Sequence, residues 1–185
     1  MKASRLSIPE VILFEPKIFG DDRGFFLESF NQKIFDELVG YAVHFVQDNH
    51  SRSSTGVLRG LHYQIDNPQG KLVRVTSGSV LDVAVDMRKS SPTFGKWVSA
   101  LLTAENHNQL WIPEGFAHGF FVLSEFADFM YKTTDYYSPG FERSVKWDDP
   151  DLAIDWRLSD IMAVRPTLSA KDLSAPSFQD AEKFS

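Results

Sequence analysis

Apolar residues fall in short blocks along this chain, separated by Gly, Pro, Asn and Ser, and the blocks follow the two-residue period of half-buried strands more often than a helical period. The Gly20-Asp21-Asp22-Arg23-Gly24 turn leads into a strand over residues 25–30. Asn31 then offers an N-cap, which predicts a short helix over 32–39 closed by Gly40. Weak alternation predicts a strand over 43–49. The pattern is sharpest in a hairpin: a strand over 72–76, a Ser77-Gly78-Ser79 turn, and a return strand over 80–87 with Asp82 and Asp86 on one face. Those two acids either face water or line a cavity. Further strands fit 97–102, 109–112, 119–123 and 126–133, and the Ser/Ala/Lys/Asp-rich tail beyond Pro166 reads as surface loop or short helix. Many short strands with turn signals between them favour a sandwich or barrel.

Composition narrows the picture. A chain of 185 residues fits one domain, 1–185, and 43% hydrophobic content with 16 Phe suits a β core rather than a disordered chain. The net charge of −6 disfavours nonspecific nucleic-acid binding, although a small phosphate-bearing molecule needs only a few local cations. The absence of Cys removes disulfides, thiolate metal sites and cysteine nucleophiles. No apolar leader follows Met1 and no window approaches the ~20 apolar residues of a membrane helix, so a cytoplasmic protein without a membrane or nucleic-acid partner is expected. Neither a Walker loop nor a Gly-x-Gly-x-x-Gly fingerprint is present to bind a dinucleotide cofactor.

Two stretches carry candidate chemistry. Gly56-Val57-Leu58-Arg59-Gly60-Leu61-His62-Tyr63-Gln64 sets one titratable His and one anion-binding Arg among apolar residues and glycines. Strict strand alternation puts Arg59 and Leu61 on one side, and Leu58, Gly60 and His62 on the other. The stretch from Trp111 to Phe121 delivers a second imidazole, His118, after a Pro/Gly-punctuated turn. On residue type alone, a lone His in an apolar strand is more often a hydrogen-bonded core residue than a catalyst.

Gly56, five residues, His62, then Pro113-x-Gly115-x-x-His118, resembles the two half-motifs of the cupin barrels. Within them, Leu58-Arg59-Gly60-Leu61-His62-Tyr63-Gln64, Pro68-Gln69-Gly70-Lys71-Leu72-Val73-Arg74-Val75 and Phe116-Ala117-His118-Gly119-Phe120 resemble the dTDP-4-dehydrorhamnose 3,5-epimerases, from about Arg23 to Asp172. The resemblance implies an all-β dominated, cupin-type double-stranded β-helix, a jelly-roll barrel with a few short helices. It also implies inversion of C3 and C5 of a dTDP-4-dehydro-6-deoxyhexose without a cofactor, in a homodimer whose early strands help complete the neighbour's site. Metal-binding cupins present a His-x-His pair and a Glu in the first motif. Here Gln64 takes the second His position and Lys71 falls where the Glu would serve, so no metal is expected.

Both reacting carbons lie alpha to the C4 ketone, so the chemistry needs a base on one face, an acid on the other, and a cation near the enolate oxygen. The resemblance assigns His62 as base, Asp172 as its carboxylate partner, Tyr131 as acid and Lys71 as the stabiliser of the C4 oxygen. It assigns Arg59, Arg23, Gln47, Asn49, Glu28, His118, Glu142 and Lys171 to substrate binding. Taken singly, Asp172 reads as a solvated tail acid, Tyr131 as a packed strand residue and Lys71 as a surface cation. Asp82 stays outside the assignment, because an exposed strand face explains it equally well. The rival readings are a related cupin acting as a mono-epimerase or a 3,4-ketoisomerase, and a noncatalytic sugar-nucleotide-binding cupin.

Overall fold

The computed structural model describes residues 1–161 and 165–185. Among these residues thirteen strands and two α-helices follow one another as β1 (Lys2–Arg5), β2 (Ile12–Glu15), β3 (Ile18–Asp21), β4 (Gly24–Leu27), α1 (Gln32–Val39), β5 (Gln47–Ser54), β6 (Leu58–Gln64), β7 (Lys71–Ser77), β8 (Ser79–Asp86), β9 (Trp97–Thr103), β10 (Gln109–Ile112), β11 (Phe116–Val122), β12 (Phe126–Thr133), β13 (Glu142–Ser144) and α2 (Ala170–Leu173). The central antiparallel pairings nest: β8 with β9, β7 with β10, β6 with β11 and β5 with β12. Successive nested pairs fall alternately in a five-stranded sheet, β13-β6-β11-β8-β9, and a six-stranded sheet, β1-β2-β10-β7-β12-β5. That winding is the expected double-stranded β-helix, the cupin jelly roll.

The expected hairpin over 72–87 does not form. β7 pairs with β10 and β12 while β8 pairs with β9 and β11, so Gly78 carries the chain from one sheet to the other. Gly78 has φ +75°, and a Cβ there would collide with the Phe126 carbonyl oxygen. Local alternation reports which face of a strand is apolar, and it is the same for a hairpin as for a corner between sheets. The strand expected over 43–49 begins instead at Gln47 and runs on to Ser54, and the strand expected over 25–30 stops at Leu27. Helix α1 matches its expectation: the Asn31 side chain accepts from the Ile34 N–H, and Gly40 closes the helix at φ +97°.

Apolar layers cover both faces of each sheet. One core, including Val73, Leu110, Phe129, Val80, Leu102 and Phe120, fills the space between the sheets. The outer face of the six-stranded sheet buries Phe14 and Trp111 under Phe35 and Val39 of α1. Phe35 is 2% exposed, and a side chain buried to that degree contributes about 1.5–3 kcal/mol through removal of apolar surface from water. The outer face of the five-stranded sheet is covered by the C-terminal segment, through Trp156, Phe178 and Ala181. With both faces covered, all seven residues of β11 are buried. The β3–β4 hairpin is the exception, with Phe19, Phe25 and Phe26 all more than half exposed. Among the described residues no helix is long and apolar enough to cross a membrane.

Candidate active site

A cavity of about 500 Å³ is lined by residues of both sheets and of the tail, His62, Lys71, His118, Tyr131, Glu142 and Asp172 among others. His62 and His118 belong to the five-stranded sheet, where β6 and β11 set them directly opposite each other. Tyr131, Lys71 and Asn49 come from the facing six-stranded sheet, where Tyr131 pairs with Asn49.

Two glycines allow that arrangement. Gly60 lies at φ +126°, and a Cβ on it would sit 2.5 Å from Gly119 Cα; one on Gly119 would sit 2.8 Å from the Arg59 carbonyl oxygen. The close approach accompanies a slip in the β6–β11 ladder between His118 and Phe120. It also corrects the expectation from strict alternation: Arg59 and His62, three residues apart, both line the cavity, while Leu61 joins the outer core. Arg59 is fixed by donating from Nε to Ser53 Oγ at 2.9 Å.

His62 Nε2 lies 2.6 Å from Asp172 Oδ1. The carboxylate is no solvated tail acid: Asp172 is 2% exposed. The tail returns alongside β6 because Thr167 exchanges backbone hydrogen bonds with Gly56 and Leu58. Ser169 then caps α2, accepting from the Asp172 N–H at 3.2 Å and donating its hydroxyl to Asp172 Oδ2 at 2.7 Å. Burial pushes the Asp172 carboxyl up, but the hydrogen bonds from His62 and Ser169 more than offset it and hold the group below its ordinary range. With Nε2 committed to an anionic partner, Nδ1 is the ring nitrogen left to take a proton.

Lys71 is 8% exposed and makes no hydrogen bond or ion pair with any described residue, although its ammonium remains open to the cavity. Burial lowers its pKa to about 8, against the pull of Glu142, Glu114 and Asp82. Tyr131 is pushed the other way. Burial, then the charge of Glu142, raises its phenol above the usual value despite Arg59, so the group keeps its proton at neutral pH.

The remaining expected residues divide into two sets. Gln47 donates from Nε2 to Asn49 Oδ1 at 3.0 Å and accepts from the Tyr137 N–H at 3.1 Å, so it orients the cavity-lining Asn49. Glu142 accepts from the Tyr137 hydroxyl at 2.8 Å and pairs with Lys171 at 2.5 Å at the rim. Arg23 and Glu28 are not brought to the cavity of their own chain. Arg23 stands on the projecting hairpin, paired with Asp21 and with its side chain 89% exposed. Sequence reasoning left out Asp82, which is wholly buried and lies 2.9 and 3.1 Å from His118 Nε2 through its two oxygens. It also left out Phe120 and Phe129, stacked at 4.1 Å on the cavity wall. Gln64, at the position of a cupin metal ligand, turns its amide to the backbone of Asn67 and Ser138. Among the described residues no group of three His, Cys, Asp or Glu side chains gathers as a metal site.

Frame and cavity together define a cupin-type barrel whose interior carries groups suited to proton transfer. The chain belongs to the dTDP-4-dehydrorhamnose 3,5-epimerase family, which it matches over residues 5–180. It is 63% identical over 184 residues to the dTDP-4-dehydrorhamnose 3,5-epimerase of Pseudomonas aeruginosa, an alignment covering 100% of this chain and 99% of that protein. The crystal structure of dTDP-6-deoxy-D-glucose-3,5-epimerase from Legionella pneumophila, in complex with dTDP-4-keto-L-rhamnose, superposes with a TM-score of 0.92 at 55% identity, covering 96% of this chain and 93% of that one. A more distant similarity, 35% identity with a TM-score of 0.87 over 94% of this chain and 86% of the other, is to a 3'-monoepimerase from Streptomyces bikiniensis in complex with dTDP-quinovose.

Proposed function

We propose that this protein inverts C3 and C5 of dTDP-4-dehydro-6-deoxy-D-glucose, giving dTDP-4-dehydro-L-rhamnose, by metal-free acid–base catalysis. The observation that carries this reading is the entry of His62 and Tyr131 into one cavity from facing sheets, beside an unpaired Lys71. His62 Nδ1 takes the proton from carbon, and the C–H electron pair moves onto the C4 oxygen as an enolate. Lys71 meets the charge that develops there, in a site where a fixed cation counts for more than in water. When the enolate collapses, Tyr131 gives its proton to the carbon from the opposite face, and the phenolate is reprotonated from solvent. Asp172 fixes the His62 ring and stabilises the imidazolium until it sheds the abstracted proton.

Arg59 holds the diphosphate, and Asn49, oriented by Gln47, hydrogen-bonds the substrate with His118, Glu142 and Lys171. Arg23 and Glu28 serve the cavity of a second copy, which explains why the β3–β4 hairpin exposes three Phe side chains beyond the barrel. A cytoplasmic homodimer acting on a nucleotide-activated sugar completes the reading. The reading is supported by the family match and by the product-like ligand of the Legionella relative.

The test is incubation with dTDP-4-dehydro-6-deoxy-D-glucose in deuterated water containing excess EDTA, followed by NMR of the product. Deuterium at both C3 and C5 of a dTDP-4-dehydro-L-rhamnose product is expected. Exchange at one carbon alone would make the protein a mono-epimerase, and no exchange would overturn the reading. Turnover lost to EDTA and restored by a divalent ion would overturn its metal-free part.

A further inference from the structure

The described residues include five buried aspartates, and four of them have an evident task. Asp86 accepts from the Arg88 backbone and guanidinium and from the hydroxyls of Ser91 and Thr93, pinning the loop after β8. Asp149 accepts from the N–H groups of Asp151, Leu152 and Phe178. Asp128 joins β12 to β5 through Arg52 and His50, and Asp172 serves His62. Asp82 differs from them all, because among the described residues its hydrogen-bond partner is the single imidazole nitrogen of His118.

Asp82 therefore holds no loop and caps no backbone. Its neighbours on the same face of β8, Val80 and Ala84, belong to the barrel core, so the fold itself calls for an apolar residue here. Burying a carboxylate is costly, and replacing a buried ion pair by apolar groups is often neutral or stabilising. His118 lines the cavity, and its ring also packs against Phe129 with centroids 5.9 Å apart and planes at 25°. A carboxylate at one edge and an aromatic face at one side leave the ring a single orientation.

We infer that Asp82 is a positioning residue for the epimerisation, acting through His118: it clamps Nε2 so that Nδ1 is the polar atom presented to the sugar. The inference rests on the epimerase reading above. It deepens that reading by giving the site two imidazole–carboxylate pairs, with the imidazoles in register on the neighbouring strands β6 and β11.

The experiment compares wild type, Asp82→Asn, Asp82→Leu, His118→Gln and the Asp82→Asn/His118→Gln double variant in steady-state turnover, dTDP calorimetry and thermal melting. Asp82→Asn should lower kcat on the order of 10-fold or more, because an amide does not hold the imidazole in the same tautomer as a carboxylate does, and leave dTDP affinity unchanged. In the His118→Gln background it should add nothing. Asp82→Leu should melt at or above the wild-type temperature with the same loss of kcat, which a merely structural role would not give. Wild-type kcat in Asp82→Asn or in His118→Gln, or losses that multiply in the double variant, would overturn the inference. The His118→Gln arm decides even where an Asp82 variant fails to fold. Absence of turnover in wild type overturns the epimerase reading as well, and so is distinguishable.

Discussion

The two imidazole–carboxylate pairs are built from the same groups yet sit in opposite surroundings. His62 keeps 30% of its side chain exposed, and its carboxylate comes from the tail with a second hydrogen bond from Ser169. His118 keeps 10%, and its carboxylate comes from the adjacent strand of the sheet with no exposure at all. An imidazole that must accept a proton and give it up again needs a route to substrate and solvent, whereas one that only orients a substrate gains from a closed, rigid setting. The chemistry of a His–Asp pair therefore follows from access as much as from composition.

The strongest way to break the comparison is to remove the two groups proposed to act on opposite faces of the sugar. His62→Ala should abolish deuterium exchange and epimerisation together, a loss of about 10²–10⁴ from a missing general base. Tyr131→Phe keeps the aromatic ring and should depress inverted product more than exchange, because the enolate still forms and returns to its original face. Product NMR in deuterated water reads both, and substantial exchange in His62→Ala would reverse the roles of the two imidazoles.

A smaller effect sharpens the tail-borne side of the comparison. Ser169→Ala leaves Asp172 its bond to His62 and removes a hydroxyl donor with a net value of about 0.5–1.5 kcal/mol. A several-fold loss of kcat at unchanged dTDP affinity is expected, and unaltered kcat would show that Ser169 only starts the helix.

The smallest effect at neutral pH belongs to Lys71. Its ammonium, with a pKa of about 8, is mostly charged at pH 7 and loses its proton as the pH rises through 8, well below the ordinary lysine range. The charge awaiting the enolate is lost over that interval, so kcat/KM of the free enzyme should fall there. In Lys71→Arg the fall should move to higher pH, since a guanidinium does not titrate in this range. A limb that stays near pH 8 in that variant would belong to another group.

Much of this was readable in the sequence, and the failures share a cause. Helix α1 was legible because Asn31 and Gly40 act within their own turns. The 72–87 corner passed for a hairpin because its alternation is local while its strand partners, β10, β11 and β12, lie far along the chain. Arg59 and His62 were separated on paper because a two-residue period cannot register the slip that Gly60 and Gly119 permit. Asp172 carried a readable signal in Ser169-Ala170-Lys171-Asp172, a capping pattern that predicts order in the tail. Asp82 carried none, since alternation leaves open whether a polar strand residue meets water or a buried imidazole.

The tail that supplies Asp172 has a consequence for how the protein comes into being. Chains are made from the N-terminus, and the barrel strands β1 to β12 are complete by Thr133, while the carboxylate for His62 follows only at position 172. A nascent chain can wind most of its barrel on the ribosome and still lack the carboxylate that meets His62. On the proposed roles, catalytic competence is thus among the last properties to arrive during synthesis, because Glu142, Lys171 and Asp172 all follow the last strand of the nested barrel pairs.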